Sequence, residues 1–319
     1  MLKTFFYSED KLRTEISKEE LVDIIKQKKG LLWLDINDPT EQEIDILVDE
    51  FDFHPLAIED CIFPQNHPKI NDFGSNIFMV FHAITCPNGN ICTSELDLFL
   101  GENYLITLHP ETIKPITAIF EIVKSNPNVI AKGVDFLLYN ILDSIMDTYF
   151  PVLENMDEKI DKIDDELANA PTSLIMHQIF ALKKNTLSMR KILGPQQGVL
   201  NILTRRDFPF IKPDIAIYFR DIYDHAVRIY SIIETYRDML TSSMEVYHSI
   251  ISNRLNEVMK TLTIIATFMM PLTLITSFYG MNVKAPEFEW GIIGYIFVWC
   301  IIIFTTILMY FFFRKKKWL

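Results

Sequence analysis

The sequence predicts an α+β membrane protein. An N-terminal α/β domain leads into a long stalk helix, which continues as the first of two C-terminal transmembrane helices. Three observations predict it. Thr261–Val283 and Gly291–Phe313 are two runs of 23 residues without a charged side chain. Roughly the first 130 residues alternate strand-like and helix-like stretches. From Asp214 to Tyr279 the only proline is Pro271 and there is no glycine.

The N-terminal part begins with Leu31–Asp35 (LLWLD), a short apolar run expected as a buried strand. Thr40 with Glu43 three residues on is a capping box, opening a helix to about Phe51. Asn76–Ile84, Ser94–Leu100 and Asn103–Leu108 are further strands, separated by turn signals at Pro87–Asn90 and Gly101–Glu102. A mixed or antiparallel sheet with flanking helices is expected. After about Gly133 the period is helical: 134–168, 173–204 and 213 onward, with breaks expected at Pro171, Gly194–Pro195 and Pro209–Pro213. Glu154–Glu166 holds seven acids and two lysines, the pattern of a solvated helix face. Cys61, beside Asp60, is expected as a packed loop residue.

A helix needs roughly 20 apolar residues to cross the hydrocarbon core, so each 23-residue run suffices. Only 284–290 separate them, giving a hairpin. Arg314, Lys315, Lys316 and Lys317 follow the second run, and Arg254 and Lys260 precede the first. The excess of positive charge outside the connecting loop puts both termini in the cytoplasm. No signal peptide is expected, since no charged region with a short apolar stretch opens the chain. The expected division is 1–132 cytoplasmic α/β domain, 133–212 helical hairpin with an acidic helix, 213–260 stalk and 261–283 first span. Next come 284–290 external loop, 291–313 second span and 314–319 basic tail.

The chain has 30 basic and 42 acidic residues, a net of −12, which argues against a nucleic-acid binder. Residues 260–319 carry six basic and two acidic side chains, so the remainder carries −16. An acidic domain beneath a basic membrane collar attracts cations, although an acidic surface also serves solubility. The four cysteines form no C-x-x-C pair, the seven histidines no metal-spaced pair, and there is no G-x-x-x-x-G-K-[ST], G-x-S-x-G or H-E-x-x-H. An enzyme finds little support, and no ATP site is expected.

With Met259 at zero and 100° per residue, Leu262, Thr263, Ala266, Met270, Thr273 and Ser277 fall within about 60° of one direction. This stripe suits either a helix neighbour or a pore axis. Ile264, Ile265, Phe268 and Leu272 lie elsewhere and suit lipid or the second span. Tyr279-Gly280-Met281-Asn282 closes the first span, and a second span follows close behind. Here the chain resembles the CorA family of magnesium transporters, whose signature is Gly-Met-Asn after the first of two C-terminal spans. The resemblance extends to Asn256–Thr273 (NEVMKTLTIIATFMMPLT), Tyr218–His225 (YFRDIYDH), His54–Cys61 (HPLAIEDC) and Leu31–Thr40 (LLWLDINDPT).

The resemblance implies a funnel-shaped homopentamer in the cytoplasmic membrane, conducting Mg2+ down the membrane potential, with Co2+ and Ni2+ as further cargo. Gly280, Met281 and Asn282 would form the selectivity filter. Asn256, Met259, Leu262, Ala266, Met270, Thr273 and Ser277 would line the pore and gate. Regulatory Mg2+ would bridge neighbouring subunits through Glu59, Asp60, Asp221 and Asp147, the last with Asp143 one turn away. Two other readings remain: a zinc transporter of the same superfamily, and a two-span sensor or scaffold with no pore.

Overall fold

The structure is a computed structural model that describes residues 2–14, 16–27, 29–63, 67–85, 91–169, 172–205, 208–282, 286–316 and 318. The chain divides into two compact units, Met1–Met244 and Glu245–Leu319.

The first unit is built on a seven-stranded mixed sheet of order β2-β1-β3-β7-β6-β5-β4. The strands are β1 (Leu2–Ser8), β2 (Lys11–Arg13), β3 (Leu31–Asn37), β4 (Lys69–Asp72), β5 (Ile77–Thr85), β6 (Cys92–Leu100) and β7 (Tyr104–His109). The four strands expected from the sequence are present, and β1, β2 and β4 join them at the two sides. The pairing of β3 with β7 is parallel, with Leu34 opposite Ile106, and every other pairing is antiparallel. The Pro87–Asn90 turn lies outside the described residues. Gly101 turns β6 into β7, its N–H donating to the Tyr104 carbonyl at 3.0 Å.

Alternation along the strands sends two sets of side chains to opposite faces. Leu32, Leu34, Ile36, Phe78, Val80, Phe99, Ile106 and Leu108 pack with Leu21 and Ile24 of α1 (Lys18–Gln27), Ile46 and Leu47 of α2 (Glu41–Asp49), and Ala57 and Ile58 of α3 (Pro55–Ile62). The Thr40–Glu43 capping box is formed, and the helix it opens ends at Asp49. On the other face Trp33 is fully buried against Phe5 and Phe120, with ring centroids 5.6 and 4.3 Å away. Phe120 belongs to α4 (Lys114–Ser125), which α5 (Asn128–Ala131) and α6 (Val134–Asp147) follow. Trp33 Nε1 donates to Thr107 Oγ1 at 3.2 Å, and that hydroxyl donates to Asp35 Oδ1 at 2.5 Å.

Three expectations from the sequence are corrected. The run 134–168 is two helices, α6 and α7 (Tyr149–Asn169), parted at Thr148. Pro151 cannot donate to the Asp147 carbonyl but is tolerated in the first turn of a new helix. Conversely, no break occurs at Gly194–Pro195, because α8 (Ser173–Arg205) runs through both. The donor Pro195 lacks would serve Lys191, which is exposed and open to water. Beside the proline, Gln196 Nε2 donates to the His82 carbonyl at 3.2 Å and Gln197 Nε2 to the Ala226 carbonyl at 2.9 Å. Those bonds hold the helix where the ladder loses one. Lastly, Cys61 is on helix α3, partly buried against the core, and not in a loop.

His82 supplies a pH test of this packing. Burial, and after it the charge of His67, pulls its pKa from 6.5 to about 4, with the Glu95 carboxylate 3.7 Å from the ring. Above pH 6.5 both folded and unfolded chains hold it neutral. Between 6.5 and 4 only the unfolded chain takes the proton, so stability falls as pH falls, by about 3 kcal/mol over that window. Urea midpoints at pH 7 and pH 4.5 for wild type and His82→Gln check this. The wild type is expected to lose more stability than the variant, and equal losses would refute the assignment.

The helix α9 (Pro213–Tyr279) contributes Pro213–Met244 to the first unit and the rest to the second. The second unit continues with a 3-10 turn, Pro286–Trp290, and α10 (Ile292–Lys315). Both α9 and α10 contain a stretch long and apolar enough to cross a membrane.

Candidate pore and cation sites

Within the second unit α9 presents two opposite faces. Ile264, Phe268, Leu272, Ile275 and Tyr279 are half-buried, and the Phe268 ring stacks on Phe313 of α10 at 5.4 Å. Counted at 100° per residue, this face lies roughly 180° from Met259. The stripe on the Met259 side is exposed at every position: Asn256, Met259, Leu262, Thr263, Ala266, Met270, Thr273 and Ser277. Thr263 and Thr267 return their hydroxyls to the Met259 and Thr263 carbonyls, both at 2.7 Å, which satisfies them inside an apolar medium. Pro271 leaves the Thr267 carbonyl without its helical donor.

The helix stops at Tyr279 with Gly280, Met281 and Asn282 exposed beyond it. Gly280 donates to the Thr276 carbonyl at 2.9 Å, prolonging the helical pattern by one bond. It has no positive φ, so it is not a left-handed helix cap. A Cβ there would stand 3.0 Å from the Thr276 oxygen, and glycine lets the chain leave the helix this tightly. Met281 donates to Phe278 at 3.4 Å, and Asn282 follows with its side chain exposed.

At the other end of α10, Trp318 folds back on Phe313, with centroids 5.8 Å apart and its N–H on the Phe313 carbonyl at 3.0 Å. Arg314, Lys315 and Lys316 are thereby grouped at the helix C-terminus, the end that favours cations.

The four carboxylates expected to hold regulatory ions fall in two places. Asp147 and Asp221 come together with Asp143 between α6 and α9. Burial and then Asp147 raise the Asp143 carboxyl above the ordinary range, His225 opposes this, and Asp221 adds to it. Asp221 is exposed, and His225 Nε2, one helical turn on, lies 4.0 Å from its carboxylate. Tyr139 and Tyr218 stand beside these acids with rings 5.0 Å apart. The sequence reasoning missed His225, although its i, i+4 spacing from Asp221 on a helix signals the contact.

Glu59 and Asp60 lie on α3, against the opposite face of the sheet. Glu59 is exposed, whereas Asp60 is buried and its carboxylate is paired with Lys69. The charge of Asp60 is thus matched within the chain, and Lys69 had no signal in the sequence. Among the described residues no three His, Cys, Asp or Glu side chains are grouped to hold a metal by themselves. A cation at the α6–α9 cluster needs water or another chain to complete its shell.

The model of the family described as CorA-like Mg2+ transporter protein matches residues 28–315. This chain belongs to that family. It is 34% identical over 292 residues to the cobalt/magnesium transport protein CorA of Thermotoga maritima, covering 90% of this chain and 83% of that protein. It is 33% identical over 259 residues to the putative metal ion transporter YfjQ of Bacillus subtilis, covering 81% of each. The solved structure of the complete CorA magnesium transporter from Methanocaldococcus jannaschii superposes with a TM-score of 0.86 at 24% identity, covering 100% of this chain and 99% of that one. That likeness is one of fold: a CorA-type α/β domain, a long helix and two C-terminal apolar helices.

Proposed function

We propose that this chain conducts Mg2+ across the cytoplasmic membrane as a homopentamer, through a pore lined by the Met259 face of α9. One observation carries the reading: the face of α9 that bears Ala266, Thr273 and Ser277 points away from α10 and is uncovered in the single chain. Small and hydroxylated side chains in a membrane helix belong at helix contacts or along water, not against lipid. Copies of the same face around an axis provide both. Residues 261–283 and 291–313 are then the spans, both termini are cytoplasmic, and 1–260 form the cytoplasmic part.

At the outer mouth, copies of Asn282 ring the axis. Mg2+ releases its inner waters reluctantly, and amide oxygens accept hydrogen bonds from those waters without stripping them. Deeper in, Met259, Leu262 and Met270 form an apolar constriction that closes by dewetting, while Asn256 and Thr273 supply polar positions on the same side. The membrane potential supplies about 2.3 kcal/mol per charge per 100 mV, hence about 4.6 kcal/mol for a dication. Relatives named for both cobalt and magnesium support Co2+ as further cargo. They favour magnesium over the zinc reading, as does Met281 at the second position of the Gly-Met-Asn signature.

Regulation is assigned to the acids that neighbouring subunits would share through Mg2+: Asp221 and Asp147, with Glu59 from α3. Removal of the ion leaves like charges to repel, which favours the open state. Asp60, held by Lys69, contributes to this set only if that pair opens. Asp221→Asn is expected to raise the internal Mg2+ concentration that halves uptake roughly tenfold, since a contact to a charged group contributes about 1.5 kcal/mol. An unchanged half-inhibition concentration removes Asp221 from the regulatory set.

The test of the function is Mg2+ uptake into proteoliposomes under an inside-negative potential, with internal Mg2+ varied down to chelated levels. Entry that follows the potential supports the reading. No entry at any internal Mg2+ would leave the sensor in its place, and Zn2+ entry driven by a proton gradient would leave the zinc transporter.

A further inference from the structure

The helix α10 has a face that neither its contact with α9 nor the proposed pore uses. Phe313 is buried and stacks on Phe268, which fixes the side of α10 that meets α9. Thr306 and Met309, half-buried, share that side. Counted at 100° per residue, Phe304, Ile307, Phe311, Arg314 and Lys315 fall within about 60° of one direction, roughly opposite Phe313. All five are exposed, the three apolar ones at 67%, 49% and 60%. Trp318 folds onto the Phe313 ring, on the other side.

This face changes chemistry along its length. Phe304 and Lys315 are separated by about 16 Å of helix, at about 1.5 Å per residue. Half of a hydrocarbon core of about 30 Å is about 15 Å, so the apolar stripe spans one leaflet and its basic end reaches the headgroups. The helix carries no acidic side chain. Neither Arg314 nor Lys315 has an ion-pair partner among the described residues. Basic residues that only orient a span need no particular face. These two share the face of Ile307 and Phe311, turned away from the helix that α10 packs on.

We propose that this face of α10 holds an anionic phospholipid of the cytoplasmic leaflet. Its phosphate sits on Arg314 and Lys315, and an acyl chain lies along Phe311, Ile307 and Phe304. The arginine fork suits two phosphate oxygens at once, and the lysine adds a point charge. A zwitterionic lipid brings the same phosphate with an ammonium that both residues repel, so net charge sets the preference. Each basic side chain at an anionic surface contributes about a fivefold preference, and two together more than tenfold. The bound lipid fixes the depth of α10, and through the Phe313–Phe268 stack that of α9. The inference rests on α10 being a membrane span with a cytoplasmic end, and not on the conduction of Mg2+.

Native mass spectrometry of the full-length protein in detergent, titrated with phosphatidylglycerol or phosphatidylcholine, counts the lipids retained. Wild type is expected to retain phosphatidylglycerol at concentrations roughly tenfold below those phosphatidylcholine needs. Arg314→Gln with Lys315→Gln is expected to abolish that preference, and Arg314→Lys with Lys315→Arg to keep it. Should the double glutamine variant fail to fold, Arg314→Gln alone is expected to lower the preference about fivefold. Inorganic phosphate is expected not to displace the lipid, because it has no chain for the apolar stripe. Displacement at equal concentration would assign the two cations to a free anion and overturn the lipid. Equal retention of both lipids by wild type overturns the proposal, as does an unchanged preference in the folded glutamine variants. A wild type that prefers phosphatidylglycerol yet admits no Mg2+ supports this inference and fails the transport reading alone.

Discussion

Asn282→Ala is expected to reduce Mg2+ uptake roughly a thousandfold, with the size of the oligomer and the helix content unchanged. Asn282 stands just past the end of α9 with an exposed side chain, so alanine there disturbs no packing within the chain. In the proposed pentamer the substitution removes five amide oxygens at once. Each acceptor for the ion's hydration water contributes about 1 kcal/mol, so five contribute about 5 kcal/mol, more than three factors of ten. Asn282→Gln keeps the amide on a longer arm and is expected to retain part of the flux. Uptake by Asn282→Ala at the wild-type rate would end the filter assignment, even if the protein still transports.

Trp33→Ala is the substitution expected to damage the fold most, by about 3–5 kcal/mol, a large share of a typical domain's stability. Trp33 is fully buried at the middle of the sheet, and its ring contacts Phe5 on β1 and Phe120 on α4. Alanine leaves a cavity where α4 packs on the sheet. It also takes away the indole N–H that donates to Thr107, although Thr107 keeps its own bond to Asp35. Trp33→Phe retains a ring and loses only that hydrogen bond, so it is expected to cost about 1 kcal/mol beyond any change in packing. Urea unfolding of the full-length protein in detergent, followed by circular dichroism, measures both. A Trp33→Ala midpoint equal to wild type would show that the sheet does not depend on this contact.

Local signals in the sequence were reliable where the chemistry is local. The Thr40–Glu43 capping box involves residues three apart and formed as read. The strands 31–35, 76–84, 94–100 and 103–108 announced themselves by apolar runs between turn residues and are all present within a residue or two. Pro195 was misread because a proline is a local penalty, while its compensation is not local: Gln196 and Gln197 reach 114 and 29 residues away. Cys61 was misplaced for a similar reason, as α3 is a short helix whose stability comes from packing Ala57 and Ile58 on the sheet.

The candidate sites divide along the same line. The Gly-Met-Asn segment, the charge-free runs and the basic tail are contiguous, so the sequence alone determined them and the family to which they point. The composition also determined an acidic chain, with a net charge of −12. Only the tertiary structure decided that Asp60 is neutralised by Lys69 while Asp143, Asp147 and Asp221 stand together, since α6 and α9 are more than sixty residues apart in the chain. The direction of the α9 stripe needed both. Periodicity fixes which residues share a face, because a helix turns 100° per residue whatever surrounds it. Which face is covered depends on where Phe313 meets Phe268, and that is a contact between two helices which no period within either one encodes.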